Sequence, residues 1–302
     1  MSARLPWRMR WRLSVLWALQ WAISGAILTY LPLYFTDIGL KFEELGTLLA
    51  AVSALGLWVA PFVVGQICDR WLASEKYLAM SHLLGGLVLI AIPIATEVYR
   101  KSGEHVAAIQ VLVGLYAVAY FPTVPLASSL TFRHLSDPDS QFGKVRIWGT
   151  VGWVLAGLSV SLWLRRDDAR LWVETQFPAW QPTIDQIRGG LNWVGRPTSA
   201  DCFRIAAILS FCLSSFCVFL PATPPMRTRT GKIAPLQTLR LFRDRRFSLL
   251  ITISFLLAIV APFYTMGVPK LLTQLNFDAD WIPAVMTVGQ ISEFPALLLL
   301  PF

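Results

Sequence analysis

Glu293 lies about eleven residues into an apolar run at 282–302. An ionisable side chain at that depth in lipid is costly, and such residues mark proton or substrate paths. Gln290 is three residues earlier, on the same helical face. A carboxyl group there can load and unload a proton as its surroundings alternate between dry and wet, which is what a proton-coupled carrier needs. The competing reading is a structural pair with a basic group on another helix. A second constellation is Arg146-Ile147-Trp148-Gly149-Thr150 with Trp153 beyond it. Spacings of four and three put Arg146, Thr150 and Trp153 on one face. A forked cation, a hydroxyl and an aromatic plane together suit a flat polar solute. The same residues also fit an end-of-span arginine with a tryptophan of the aromatic belt.

Weaker signals come from four other places. Gly65-Gln66-Ile67-Cys68-Asp69-Arg70 holds an acid beside a base at the end of an apolar run, where interhelical pairing can lock a gate. Its plainer reading is a solvated turn, above all for Arg70. Gln20 and Ser24 stand one turn apart. Tyr120, Pro122 and Thr123 interrupt another run. Either set suits a cavity wall or interhelical hydrogen bonding, and hydrogen bonding is the commoner use. Pro262, followed by Tyr264 and Thr265, breaks a further run near its middle, where broken helices can mark binding sites. His82, His105 and His134 receive no role.

The elements that must position these groups follow from composition. The chain has 302 residues, 55% hydrophobic and 15% charged, with a mean hydropathy of +0.57. A soluble domain carries about a quarter charged residues, so lipid is the main solvent here. Thirteen Trp and eighteen Phe suit membrane interfaces. Eight runs are long enough to span, at about 13–36, 45–67, 77–98, 106–132, 145–165, 203–220, 247–270 and 282–302. The first is too long for a signal peptide and reads as a retained helix. With the N-terminus in the cytoplasm, the inner segments collect 16 of the 26 basic residues, as the positive-inside rule asks.

The net charge of +8 does not indicate nucleic acid, because the basic residues are dispersed among apolar runs. Cys68, Cys202, Cys212 and Cys217 show no metal spacing and read as packing. No Walker loop, zinc motif, nucleophile elbow or dinucleotide fingerprint is present. An ATP-driven pump or a membrane enzyme is therefore unsupported, and nothing calls for a cofactor.

Two connectors stand apart. Residues 166–202 mix charges, Pro, Gly and Trp and read as an extracytoplasmic insertion, with Trp172, Trp180 and Trp193 suited to the membrane interface. Residues 221–246 are basic, with Pro221, Pro224 and Pro225 stopping the sixth helix. Six helices (1–220), a basic cytoplasmic link (221–246) and two more helices (247–302) are the layout of a two-bundle transporter, here its first half plus two helices of the second.

Several of these stretches resemble a known family. Gly65 to Trp71 is similar to the loop motif of the major facilitator superfamily. More narrowly, Ala119-Tyr120-Phe121-Pro122-Thr123, Arg146-Ile147-Trp148-Gly149-Thr150-Val151-Gly152 and Gln290-Ile291-Ser292-Glu293 resemble the bacterial nucleoside–proton symporters. The resemblance implies an all-α facilitator bundle, truncated after eight helices. It implies proton-coupled nucleoside uptake at the bacterial inner membrane, by a chain that works as a monomer. Arg146, Thr150, Trp153, Gln290, Glu293, Thr265 and Gln20 would line the substrate site, Glu293 would couple the proton, and Gly65, Asp69 and Arg70 would gate. Helix 7 departs from the family in carrying Pro262 and Thr265 where amides are expected. That keeps open a symporter for a sugar or an aromatic acid, and an inactive truncated protein is the reading from another class.

Overall fold

The computed structural model describes residues 5–28, 30–40, 44, 46–48, 52, 56, 59–182, 186, 197–225, 239–278, 281–282, 285–286 and 289. Among them there is no strand. The first run forms α1 (Trp7–Ile27), followed by the short α2 (Leu31–Asp37). Pro6 precedes α1, so the lost N–H falls where no intrahelical partner exists. The described part of the second run is α3 (Ala60–Arg70). Then come α4 (Ser74–Ser102), α5 (Val106–Tyr120), α6 (Thr123–His134) and α7 (Pro138–Leu164). Gly103, at φ 70°, closes α4 in the left-handed conformation that glycine adopts without strain. Pro122 separates α5 from α6, as its fixed ring requires. The expected insertion begins with α8 (Arg166–Gln176) and a 3₁₀ turn at Pro178–Trp180, while Trp193 lies outside the described residues. The sixth run is α9 (Asp201–Phe216).

The seventh run is α10 (Arg245–Pro262), a π-turn at Phe263–Gly267 and α11 (Val268–Gln274). The expected interruption at Pro262 is therefore real, and it takes the form of a π-turn, a local widening that concentrates at functional sites.

Four helical stretches among the described residues are long and apolar enough to cross a membrane: Ser74–Ser102, Val106–His134, Pro138–Leu164 and Asp201–Phe219. Their outward faces are apolar. Leu83, Leu84, Leu87, Ile90 and Ile94 on α4, and Leu155 and Leu162 on α7, are exposed. Such faces are stable only against lipid tails.

Helix packing rests on small residues. An added Cβ at Gly152 would overlap the Ala18 carbonyl of α1, and one at Gly25 would overlap the Trp153 carbonyl of α7. At Gly149 it would lie 2.7 Å from Cδ1 of Trp21. The α1 and α7 backbones thus touch along a glycine seam, the small-residue packing that lipid solvent favours because no hydrophobic drive pulls helices together. A second close approach joins α4 to α9, where a Cβ on Gly86 would meet the Phe211 ring at 2.6 Å. Ser210 and Ser214 of α9 donate to the carbonyls of His82 and Ala79 at 2.8 and 2.7 Å.

Gly152→Leu must push α1 away from α7, with a cost of about 1–3 kcal/mol. A lowered melting temperature in detergent is expected, whereas Gly114→Ala, whose Cβ meets nothing within 4 Å, should match or exceed the parent. Equal melting of Gly152→Leu and the parent would remove the seam from the account.

Candidate functional site

The glycine seam decides where Arg146 goes. With Gly149 one turn on, the Arg146 guanidinium folds back onto α1 and lies 4.5 Å from the Trp21 ring centroid and 5.0 Å from that of Trp17. Two indole faces thus hold one cation, an arrangement that strengthens as water is excluded. Trp17 is fixed in turn by its Nε1–H, which donates to the Thr131 hydroxyl of α6 at 3.0 Å. Trp153 also packs against Trp21, with ring centroids 5.9 Å apart and planes at 48°. Thr150 is buried on the same face of α7. The Trp21 indole N–H is also buried and has no hydrogen-bond partner among the described residues.

The structure therefore brings Arg146, Thr150 and Trp153 together as their spacing predicted. It adds Trp17 and Trp21 from α1, which sequence reasoning missed. Their spacing of four, opposite a seam of small residues, was the available signal.

Gln20 belongs to a different arrangement. Its side chain is 0% exposed. The amide nitrogen donates to the Thr123 hydroxyl at 2.8 Å, and the amide oxygen meets Nε2 of His82 at 3.0 Å. The Tyr120 hydroxyl bridges Ser24 and the Gln20 carbonyl, each at 2.5 Å. Both ends of the amide are thus engaged between helices, and the hydrogen-bonding reading holds for Gln20, Ser24, Tyr120 and Thr123. His82, left without a role on sequence alone, is the connection to α4. Its signal was helical position: four residues after Leu78 and three before Gly85, it shares the face that α4 buries.

At one end of the bundle, Asp69 faces Arg133 of α6 at 3.7 Å. Arg133 also donates to the Pro224 carbonyl at 3.2 Å. Asp69 thus pairs with another helix and not with its neighbour Arg70, which is exposed. Gly65 stands clear of other helices among the described residues, since an added Cβ would meet nothing within 4 Å. The chain leaving α9 is bound here as well. His134 meets the Thr223 hydroxyl at 3.0 Å, and the Thr223 N–H donates to the Glu75 carboxylate at 2.9 Å.

At the opposite end, Arg165 follows α7 and pairs with Asp278 at 2.5 Å. Its guanidinium also lies 5.3 Å from the Trp281 ring centroid. This contact joins α7 to the chain after α11. Thr265 falls in the π-turn, and its side chain lies outside the described residues, as do Gln290 and Glu293. Nearby, the Tyr264 hydroxyl donates to the Met286 carbonyl at 3.3 Å, and a Cβ on Gly289 would come within 2.8 Å of that hydroxyl.

The described helices form an all-α bundle with four membrane-length apolar stretches, in which a glycine seam lies beside a cation held on two indoles. The chain belongs to the Nucleoside H+ symporter family, whose pattern matches residues 7–173 and 195–302. It is 29% identical to YegT of Escherichia coli (strain K12) over 283 residues, which are 92% of this chain and 58% of YegT. It is 24% identical to the nucleoside permease NupG of the same organism over 297 residues, 92% of this chain and 61% of NupG. The chain thus spans about six-tenths of the length of these curated relatives. The solved structure of the nucleoside transporter NupG (D323A mutant) superposes with a TM-score of 0.71 at 22% identity, covering 95% of this chain and 66% of that one.

The Gln20–His82 contact yields a measurable coupling. Gln20→Leu and His82→Leu, singly and together, should show a double-mutant coupling of about 0.6–1.7 kcal/mol in SDS-titrated micelles. Strict additivity of the two changes would mean that the contact contributes nothing.

Proposed function

We propose that this chain carries the first part of a proton-coupled nucleoside carrier of the bacterial inner membrane, working by alternating access with its N-terminus in the cytoplasm. The observation that carries the reading is the guanidinium of Arg146 seated on Trp17 and Trp21, with Trp153 packed against Trp21 as well. A nucleoside offers an aromatic base and ribose hydroxyls. Indole faces stack a base, while a forked cation and an indole N–H donate to carbonyl, ring-nitrogen and hydroxyl acceptors. Family membership and the nucleoside permeases among the relatives point the same way.

The proposed division of labour has two walls. α1 and α7 supply Arg146, Thr150, Trp153, Trp17 and Trp21. The seventh and eighth apolar runs supply Thr265, Gln290 and Glu293. Glu293 follows Gly289 by one helical turn in sequence, and Gly289 packs beside the Tyr264 hydroxyl. Glu293 would exchange its proton as the site passes from one side of the membrane to the other. Gln20 stays within the first bundle as a structural amide. Residues 1–220 would move against 247–302, with 221–246 as the link.

Each end of the path would need a contact that breaks once per cycle. At the cytoplasmic end the candidate is Asp69 with Arg133, and at the extracytoplasmic end Arg165 with Asp278 and Trp281. Partly exposed ion pairs are weak, about 0.2–1 kcal/mol. That suits a gate, because a strong pair would trap one state.

Uptake of radiolabelled uridine and adenosine tests the reading, with this chain assayed beside a version extended by helices 9–12 of a relative. Protonophore-sensitive uptake that unlabelled uridine suppresses, and sugars do not, is the expected outcome. Arg146→Ala and Glu293→Gln should each lower it at least tenfold at equal membrane abundance. Indifference to protonophore would remove the coupling, and full activity of Glu293→Gln would remove its role.

The gate contact predicts a smaller effect of a distinct kind. Arg165→Asp or Asp278→Arg alone should change the uptake rate by about two- to fivefold. The double reversal should return it toward the parent, and failure of that rescue would argue against a paired gate.

A further inference from the structure

We propose that α8 and the turn after it form an anchor that binds the extracytoplasmic surface of the bilayer itself. The surface is an exposed aromatic cluster. Leu171 and Trp172 on α8 are 59% and 60% exposed, and Phe177 and Trp180 beyond it are 51% and 62% exposed. Trp172 and Phe177 pack edge to face with centroids 6.2 Å apart, so the cluster is preformed. In water such a patch would be a liability.

What covers it follows from continuity with a surface already facing lipid. α7 exposes Leu155, Leu158 and Leu162 along its length, and α8 starts two residues after α7 ends. The junction is marked by Arg165 and Arg166, with the Arg166 guanidinium 4.4 Å from the Trp163 ring centroid. Arginine on tryptophan at the end of a span is the chemistry of the headgroup layer. α8 therefore begins at headgroup depth. Its eleven residues reach about 16 Å, so it can stay within that layer if it lies along it.

Trp172, Phe177 and Trp180 are amphipathic or aromatic anchors of the type that seats helices at the boundary between headgroups and acyl chains. The family pattern passes over residues 174–194, so the end of α8 and the turn lie outside what the family shares. The partner is a phospholipid surface, recognised by the aromatic area that it covers.

Such an anchor would act on the helix that carries Arg146. It would fix the extracytoplasmic end of α7 at one depth and leave the rest of the chain to move against it.

Electron paramagnetic resonance tests this directly. Nitroxide is attached to Leu171→Cys, and separately to Trp180→Cys, in the full chain carrying Cys212→Ser, because Cys212 is the exposed cysteine among the four. The protein is reconstituted into phosphatidylethanolamine–phosphatidylglycerol vesicles. Collision with oxygen and with a water-soluble nickel chelate reports depth, with Leu158→Cys as the lipid reference. Oxygen accessibility exceeding that of the chelate at both sites, at a depth shallower than position 158, is the expected result. Chelate accessibility exceeding oxygen at both sites would place α8 in water and overturn the proposal. Protection from both probes would mean that protein covers the cluster, and would overturn it equally. If one cysteine variant does not fold, the other gives the same readout on its own.

Discussion

The approach of α1 to α7 sets most of what the bundle can do. Lipid tails are as apolar as leucine, so two helices in a membrane gain nothing from hiding hydrophobic surface against each other. What holds them is backbone proximity, and that requires residues without a Cβ. Gly25, Gly149 and Gly152 provide it, over positions 149–153 of α7. With the backbones in contact, a long side chain on either helix must leave the interface sideways. Arg146 does so across the α1 indoles, and Trp153 does so against Trp21. The cation and its aromatic floor are thus a by-product of the seam.

The polar groups inside the bundle obey a second constraint. Most buried donors find an acceptor nearby, because lipid offers none. Gln20 meets it with Thr123 and His82, Tyr120 with Ser24 and a carbonyl, and Ser81 with the Ala119 carbonyl at 2.6 Å. At the other end, Tyr30 meets Ser161 at 2.8 Å and Tyr34 bonds Thr96. These bonds tie α1 to α4, α5 and α6, and the chain just after it to α4 and α7. A bundle stitched at several depths moves as one piece, which is what rocking about a fixed site requires.

Much of the fold was legible because lipid imposes coarse rules. Long apolar runs and proline breaks at Pro122 and Pro262 appeared near where they were expected. The face shared by Arg146, Thr150 and Trp153 was also legible, since it depends only on the pitch of one helix. Partners on other helices were not. Trp17, Trp21, His82 and Arg133 come from packing between segments 62 to 129 residues away from their partners in sequence, and no local period encodes that. Asp69 shows the point most simply. The expected interhelical pairing does not name the partner: adjacent residues on a helix diverge by about a third of a turn, and the pairing falls to Arg133 and not to Arg70.

The chain leaving α9 carries a mechanical consequence. Thr223 is bonded to Glu75 and His134, its carbonyl accepts from the Ser74 N–H at 3.2 Å, and Pro224 is held by Arg133. A pull on the chain beyond Pro225 would meet these attachments before it reached α9. It would pass into the start of α4 and the end of α6, beside Asp69, and α9 would be shielded from it. The load would fall on the same corner of the bundle that carries the Asp69–Arg133 pair.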